Sequence, residues 1–416
     1  MAQLSDDCFA FGGALMPVDE AVALIAARIS PVAGVERVAL HDADNRVLAH
    51  ALHAPLPLPL FSNSAVDGYA LRSADLPQDA ARAFPVAGRV QAGSAAAPIA
   101  PDTVMRIFTG APMPQGADTV FMQEDVEHDA DGRVILPAGL RAGANMRPAG
   151  EDIAQGALAL QAGQRLRPQH VALAAALGLT HLDLRRRIRV AVFSTGNEVV
   201  APGAPRDSAQ LYDSNRFMLA GLLRRLGCDV SDLGILRDDR AALSVALKGA
   251  AQGHDLVLTS GGVSTGEEDH VRASIEAAGS LVLWRMAIKP GRPVAMGVID
   301  GTPFIGLPGN PVASFVTFAY VVRPVILALA GASPEPLVAL PVRADFSYKK
   351  KKGRREYVRA SLKISTEGPV AQKFPREGAG LLSSLCETDG LVELGEDIER
   401  VAPGDSVGFL PYAALV

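Results

Sequence analysis

Three glycine-rich turns in the second half of the chain have the composition of an anion site. They are Ser194-Thr195-Gly196-Asn197-Glu198, Ser260-Gly261-Gly262-Val263-Ser264-Thr265-Gly266 and Leu307-Pro308-Gly309-Asn310-Pro311. Glycine lets backbone approach a phosphate closely, while free N–H groups and a helix dipole favour negative charge. One Gly-Gly turn is usually only a turn; three at one sheet edge would make a site. Lys289-Pro290-Gly291-Arg292-Pro293 adds two cations beside a tight turn, with Arg285 four residues before Lys289. Asp269 follows the second turn among Glu267 and Glu268, which read as acids enriched at a helix start. No Gly-x-x-x-x-Gly-Lys-Ser/Thr marks a P-loop and no Gly-x-Gly-x-x-Gly supports a dinucleotide fold.

The elements that must position these turns follow from the pattern around them. Ile188–Phe193, Asp255–Thr259, Leu281–Ile288 and Pro303–Leu307 read as short buried strands, with Cys228–Ile235 as a further one. Between them, Ser214–Leu226 and Ala241–Gln252 repeat apolar residues at helical spacing. Gly227, Gly253, Gly279 and Gly331 stand where left-handed helix caps would fall. Strands alternating with helices call for a mostly parallel sheet, whose ligands bind beyond the carboxyl ends of the strands. The fold class is therefore multi-domain α/β.

The first fifty residues read as helical, and alternate prolines from Pro55 to Pro59 mark an extended linker. Short apolar runs between Gly, Pro and Asp clusters then suggest a small β domain, and helical signal returns at Pro168–Leu177. The expected organisation is a helical domain (1–55 and 146–187) with an inserted β domain (56–145), a parallel α/β domain (188–334) and a C-terminal β domain (335–416).

Composition narrows the class without giving a function. The 416 residues exceed what one core usually supports. The 49% apolar content and mean hydropathy of +0.19 suit packed cores. The apolar run Ala313–Ala330 contains Arg323 and Pro324, so no membrane span is expected. Three cysteines without CxxC spacing fit a reducing cytoplasm, and no secretory leader is expected behind Asp6 and Asp7. Eight histidines lack metal-ligand spacing, and a net charge of −5 argues against nucleic acid as partner. The basic run Lys349-Lys350-Lys351-Lys352-Gly353-Arg354-Arg355 reads as a solvated hairpin turn rather than a nucleic-acid patch, since no aromatic platform accompanies it and the chain is acidic; steering of an anionic ligand or of a protein partner is a further reading.

Further motifs stand in the N-terminal half: Asn63-Ser64-Ala65-Val66-Asp67-Gly68-Tyr69-Ala70, Arg106-Ile107-Phe108-Thr109-Gly110-Ala111-Pro112 and Gly150-Glu151-Asp152-Ile153. Leu381-Leu382-Ser383-Ser384 follows near the end. Together with Ser260–Ser264, Lys289–Pro293 and Leu307–Pro311, in this order, the chain resembles the MoeA family of molybdenum-cofactor biosynthesis and the related E domain of gephyrin. The resemblance covers nearly the whole chain and implies a MogA-like parallel α/β domain.

It also implies an enzyme that cleaves adenylylated molybdopterin in a Mg²⁺-dependent step, transfers molybdate to the dithiolene and releases AMP. Asp67, Thr109 and Asp152 would then face a partner subunit's sheet domain in a homodimer. Glu198, Asp239, Asp269, Arg285 and Lys289 would come from that sheet domain. Ser383 and Ser384 would join the ligand site with Ser194, Thr195, Gly196, Ser260, Gly261, Gly262, Pro290, Gly291, Pro308, Gly309 and Asn310. Glu198, Asp239 and Asp269 are the metal candidates; without the resemblance, Asp239 reads as a helix cap and Asp67 as a turn former. Asn197 stands where many members carry an acid, and Arg285 with Lys289 stands for a lysine pair, which changes the donor geometry. The rival readings are an adenylyltransferase, disfavoured by the extra domains, and a gephyrin-like scaffold. Handover of substrate from an adenylyltransferase is a further expectation.

Overall fold

The structure is a computed structural model that describes residues 15–95, 97–236, 240–261, 279–366 and 368–415. Helix α1 (Val18–Arg28) carries Asp19 and Glu20 in its first turn and Arg28 in its last, matching the helix dipole. Its buried face, Val18, Ala21 and Ile25, joins the large core of the sheet domain. The segment read as helical is not helical throughout. Strand β1 (Val35–Ala39) follows α1 and pairs with a strand far along the chain, Val35 opposite Arg185 and Ala39 opposite His181.

In the inserted β unit, β2 (Gly68–Leu71) is central. It lies between β4 (Val104–Ile107) and β5 (Thr119–Met122), with β3 (Val86–Val90) parallel to β4 on the far side. Side chains alternate between two small cores, Tyr69 and Leu71 on one face and Ala70 on the other. Gly68 admits no side chain, because a Cβ there would lie 1.7 Å from the Phe121 carbonyl oxygen. Helix α2 (Pro168–Ala176) and β6 (His181–Arg185) complete this half, and β6 pairs antiparallel with β1.

The sheet domain contains β7 (Arg189–Thr195), α3 (Asn215–Arg225), β8 (Asp229–Leu236), α4 (Arg240–Gly253), β9 (Leu256–Ser260), β10 (Gly279–Arg285), β11 (Ile288–Lys289), β12 (Pro293–Ile299) and β13 (Thr302–Leu307). Among the described residues the sheet order is β8-β7-β9-β13-β12-β10, the first four strands parallel to one another and β12 antiparallel to both of its neighbours, β13 and β10. The parallel α/β expectation is met. Strand β12 was not anticipated, although Asp300-Gly301, with φ of 47° and 82°, is the signature of a two-residue hairpin to β13. Gly227 and Gly331 are left-handed caps, whereas Gly253 ends α4 without a positive φ and Gly279 opens a strand.

A continuous helix runs from Pro311 to Leu329: α5 (Pro311–Thr317), a π turn (Phe318–Val322) and α6 (Arg323–Leu329). Pro324 has no N–H to give to Tyr320, which loosens the ladder where the π turn lies. By length and composition it could cross a membrane, yet 89% of it is buried inside the protein as a core helix.

The C-terminal unit comprises β14 (Leu340–Ala344), β15 (Tyr348–Lys349), β16 (Arg355–Ser365), β17 (Gly368–Lys373), the short helix α7 (Ser383–Cys386), β18 (Gly390–Leu394) and β19 (Ser406–Pro411). Strands β16-β17-β14-β19-β18 close on themselves through the β18–β16 pairing, so the β unit is a small barrel. Strand β11 of the sheet domain adds to β16 in parallel, Lys289 opposite Glu356.

The basic run is not uniformly solvated. Lys349, Lys351 and Lys352 are exposed, but Lys350 is only 6% exposed. Its ammonium donates to the carbonyls of Gly395 (2.8 Å), Ile398 (2.7 Å) and Glu396 (3.3 Å). Three carbonyls in one loop turn inward onto a single donor, and burial lowers the ammonium's pKa. Removing it strands those acceptors, so Lys350→Met should cost about 2–4 kcal/mol. Lys351→Met should change stability by less than about 0.5 kcal/mol; equal denaturant midpoints for the two variants would contradict this.

Candidate active site

The first and third turns and the start of the second, Ser260 and Gly261, meet at the carboxyl edge of the parallel strands. Ser194 of β7 aligns with Ser260 of β9, and Ser260 aligns with Leu307 of β13. Asn215, at the start of α3 and almost fully buried, ties two turns together. Its Nδ2 donates to Ser260 Oγ at 2.8 Å and to the Gly309 carbonyl at 2.7 Å. The Gly261 N–H donates to the Leu307 carbonyl at 3.0 Å. Beneath the first turn, Ser194 Oγ donates to Asp213 (3.0 Å), which pairs with Arg216 (2.7 Å), and Arg216 reaches on to Asp232. The Thr195 and Thr259 hydroxyls are buried here without a hydrogen-bond partner among the described residues.

Glu198 is exposed, and its carboxylate folds over Gly196, where an added Cβ would lie 2.6 Å from Oε2. It makes no side-chain hydrogen bond or ion pair among the described residues. Asp239, Gly262 and Asp269 lie outside the described residues. Arg285 ends β10 exposed, with its carbonyl accepting from Met16 N–H at 2.8 Å.

The third turn also borders a cavity of about 370 Å³ between the sheet domain and the barrel. Lys289, Pro290, Gly291, Pro308 and Asn310 form one wall. Gly291 is required there: its φ is +104°, and a Cβ would lie 2.4 Å from Thr317 Oγ1 of α5. The barrel supplies the other wall, with Tyr348, Glu356, Arg359, Lys373 and Arg376. Arg359 is 8% exposed, and its guanidinium donates to Ser384 Oγ (3.0 Å) and the Gly378 carbonyl (3.1 Å). No carboxylate among the described residues lies within ion-pair distance of it, and burial pushes its pKa down. A buried guanidinium with only neutral partners favours an incoming anion. Ser384 is buried behind Arg359 and orients it, while Ser383 is exposed and outside the cavity wall.

The N-terminal candidates form a second group. Asp67 Oδ1 accepts from both the Thr109 N–H and the Thr109 hydroxyl, each at 2.8 Å. Those bonds, the backbone one first, and the nearby Arg106 charge hold the Asp67 pKa below its usual value. Arg106 also donates to the Gly68 carbonyl (3.3 Å) and lies over the Tyr69 and Phe108 rings at 5.0 and 4.8 Å. Asp152 is exposed, its N–H donating to the Leu58 carbonyl at 3.0 Å. Among the described residues, no hydrogen bond or ion pair within the chain joins this group to the turns or the cavity.

Sequence reading missed Arg359, Glu356, Tyr348, Lys373 and Arg376. The available signal was Glu356 and Arg359 in a run that is otherwise a buried strand, since charges in such strands are seldom idle.

Comparisons with known proteins match this architecture in three parts. Residues 16–178 fit the MoeA N-terminal region (domain I and II), residues 191–328 a probable molybdopterin binding domain, and residues 341–412 the MoeA C-terminal region (domain IV). The molybdopterin molybdenumtransferase of Haemophilus influenzae is 38% identical over 387 residues, covering 92% of this chain and 95% of that one. Molybdopterin molybdenumtransferase 2 of Mycobacterium tuberculosis is 36% identical, with 88% and 92% covered. The molybdopterin biosynthesis MoeA protein of Pyrococcus horikoshii has a crystal structure that superposes with a TM-score of 0.81 at 27% identity, covering 96% of this chain and all of that one. Fold and site thus define a multi-domain α/β enzyme of molybdenum-cofactor biosynthesis. The chain belongs to the MoeA family of molybdopterin molybdenumtransferases.

The Asp67–Thr109 pair yields a pKa prediction. Thr109→Ala removes the hydroxyl bond to the carboxylate and keeps the backbone one, so the Asp67 pKa should rise part of the way to its ordinary value. Carbon-detected titration of the Asp67 carboxyl reads this directly; an unmoved midpoint would show that the hydroxyl does not contribute.

Proposed function

We propose that this enzyme takes adenylylated molybdopterin, cleaves the phosphoanhydride that joins the pterin phosphate to AMP, and places molybdate on the dithiolene. The observation that supports this best is the continuity of the glycine-rich turns with the cation-lined cavity. Pro308 and Asn310 border the Arg359 cavity, while Gly309 between them is bonded through Asn215 to the Ser260 turn. A ligand with phosphates on the turns could therefore meet a tetrahedral oxyanion held in the cavity by Arg359 and Lys289.

The roles follow from the groups present. The turns bring backbone and hydroxyl donors to the phosphates, and Lys289 and Arg359 neutralise the oxyanion. Asp67, kept ionised by Thr109, accepts a proton or orients the attacking oxygen. Its group belongs, in this reading, to the partner subunit of a homodimer, which accounts for its separation from the cavity within one chain.

Among the described residues no three His, Cys, Asp or Glu side chains gather as a metal cage. Mg²⁺ needs none: it keeps several waters and uses one or two carboxylates with substrate phosphates. The unpartnered Glu198 carboxylate beside the first turn fits that mode, with Asp239 and Asp269 as the other candidate ligands. Bound Mg²⁺ would spread the charge that builds on the phosphate oxygens. Receipt of the substrate from an adenylyltransferase, and a cytoplasmic setting, belong to the same reading.

Incubating the protein with adenylylated molybdopterin, molybdate and Mg²⁺ should release AMP, and Asp67→Asn should slow release on the order of 10²-fold. If the bound nucleotide is never cleaved, the reading fails; if only Asp67→Asn keeps the full rate, the Asp67 role fails alone.

A further inference from the structure

A cavity read as holding anions has an anion built into its wall. Glu356 is 1% exposed, and a buried carboxylate is costly unless it is paired. It is paired three ways: Tyr348 donates to Oε2 at 2.8 Å, Lys289 Nζ lies 3.3 Å from the same oxygen, and Arg354 Nε donates to Oε1 at 2.8 Å. Arg354 is not part of the cavity wall, whereas Lys289 and Tyr348 are. The Tyr348 ring has Lys289 and Lys373 at 5.8 and 5.9 Å, and Lys373 is itself 3.5 Å from Glu377. Two lysines of the wall are thus shared with carboxylates, while Arg359 is not.

We propose that Glu356 is a positioning residue for the oxyanion subsite: it holds the Lys289 ammonium against the barrel wall and cancels part of its charge, so that a tetrahedral oxyanion binds loosely enough to be passed on. This rests on the oxyanion reading of the cavity given above. The physical reason is a choice of partner. Lys289 is 45% exposed at its side chain and can turn to solvent or ligand, but its bond to Glu356 must be weakened first. An oxyanion held equally well before and after transfer gains nothing in rate from tighter binding.

The test uses the full-length protein with molybdate alone, followed by titration calorimetry, and a melting curve for each variant. Glu356→Gln keeps the shape and removes the charge, so its Kd should fall on the order of tenfold. A residue with only a structural role would weaken binding when replaced. In a Lys289→Met background the same substitution should tighten binding clearly less, because only the direct repulsion between Glu356 and the anion is then relieved. An unchanged or higher Kd for Glu356→Gln overturns the proposal, and so does undiminished tightening without Lys289. Should Glu356→Gln fail to fold, the comparison of Lys289→Met with Arg359→Met decides. Arg359→Met must lose severalfold more affinity, because its charge is uncancelled; equal losses overturn the proposal. If the unaltered protein binds no molybdate while still binding the adenylylated pterin, it is the oxyanion reading of the cavity that falls, and this proposal with it.

Discussion

The parallel pairing of β11 with β16 is the constraint on which the candidate site depends. Ile288 and Lys289 stand opposite Arg355 and Glu356 of the barrel, and the Arg355 N–H donates to the Ala287 carbonyl at 2.8 Å. Each such backbone bond contributes about 1 kcal/mol net, so the ladder alone would not fix two domains. Side chains complete the junction. Tyr320 of the π turn packs on Tyr357 with ring centroids 4.7 Å apart and donates to Glu393 at 3.0 Å. Arg355 reaches Asp19 of α1 at 2.8 Å and Glu396 at 3.2 Å. Helix α1, the long core helix and the barrel are thereby locked at one place, beside the cavity wall. Without that lock Lys289 and Arg359 would ride on separate bodies, and their separation would not be defined.

A second tier of order lies under the turns. Glycine-rich loops are adaptable, which suits close approach to a ligand and works against precision. Asn215 answers this by bonding to two turns at once, and Asp213 by joining the Ser194 hydroxyl to Arg216. These groups are buried, so losing one partner leaves the others unsatisfied and costs more than the bond itself contributed. The turns are therefore held by polar groups that need not touch a ligand.

What could be read from sequence follows from whether the relevant contact is local. The strands and helices of the parallel region were legible because burial on both faces leaves continuous apolar runs, as in Val190–Phe193 and Leu256–Leu258. The turns were legible because glycine's role is encoded by its own identity. Arg359 was invisible because its partner, Ser384, is 25 residues away and its site faces another domain. Lys350 was misread for the same reason: its acceptors lie 45 to 48 residues on, and a run of four lysines looks solvated until a loop closes over one of them. Strand β12 was obscured by the Pro290–Pro293 turn just before it. Asp67 and Thr109 were recognised only through resemblance, since an Asp-Gly step is an ordinary turn by composition.

The charge balance shows why whole-chain composition was silent about the ligand. A net charge of −5 disfavours a long polyanion, whose many phosphates need an extended basic surface. A small anion senses chiefly the groups within about a Debye length, some 8–10 Å, and senses them most strongly where walls exclude water. Four cations, Lys289, Arg359, Lys373 and Arg376, line this cavity against two carboxylates, Glu356 and Glu377. Both carboxylates are engaged, Glu356 with Lys289 and Glu377 with Lys373. The excess positive charge is therefore concentrated at Arg359 and Arg376, on the barrel side. An anion placed in the cavity would be drawn toward the barrel, and only a closed junction between the two domains would let the barrel cations and the turns of the sheet act on one ligand.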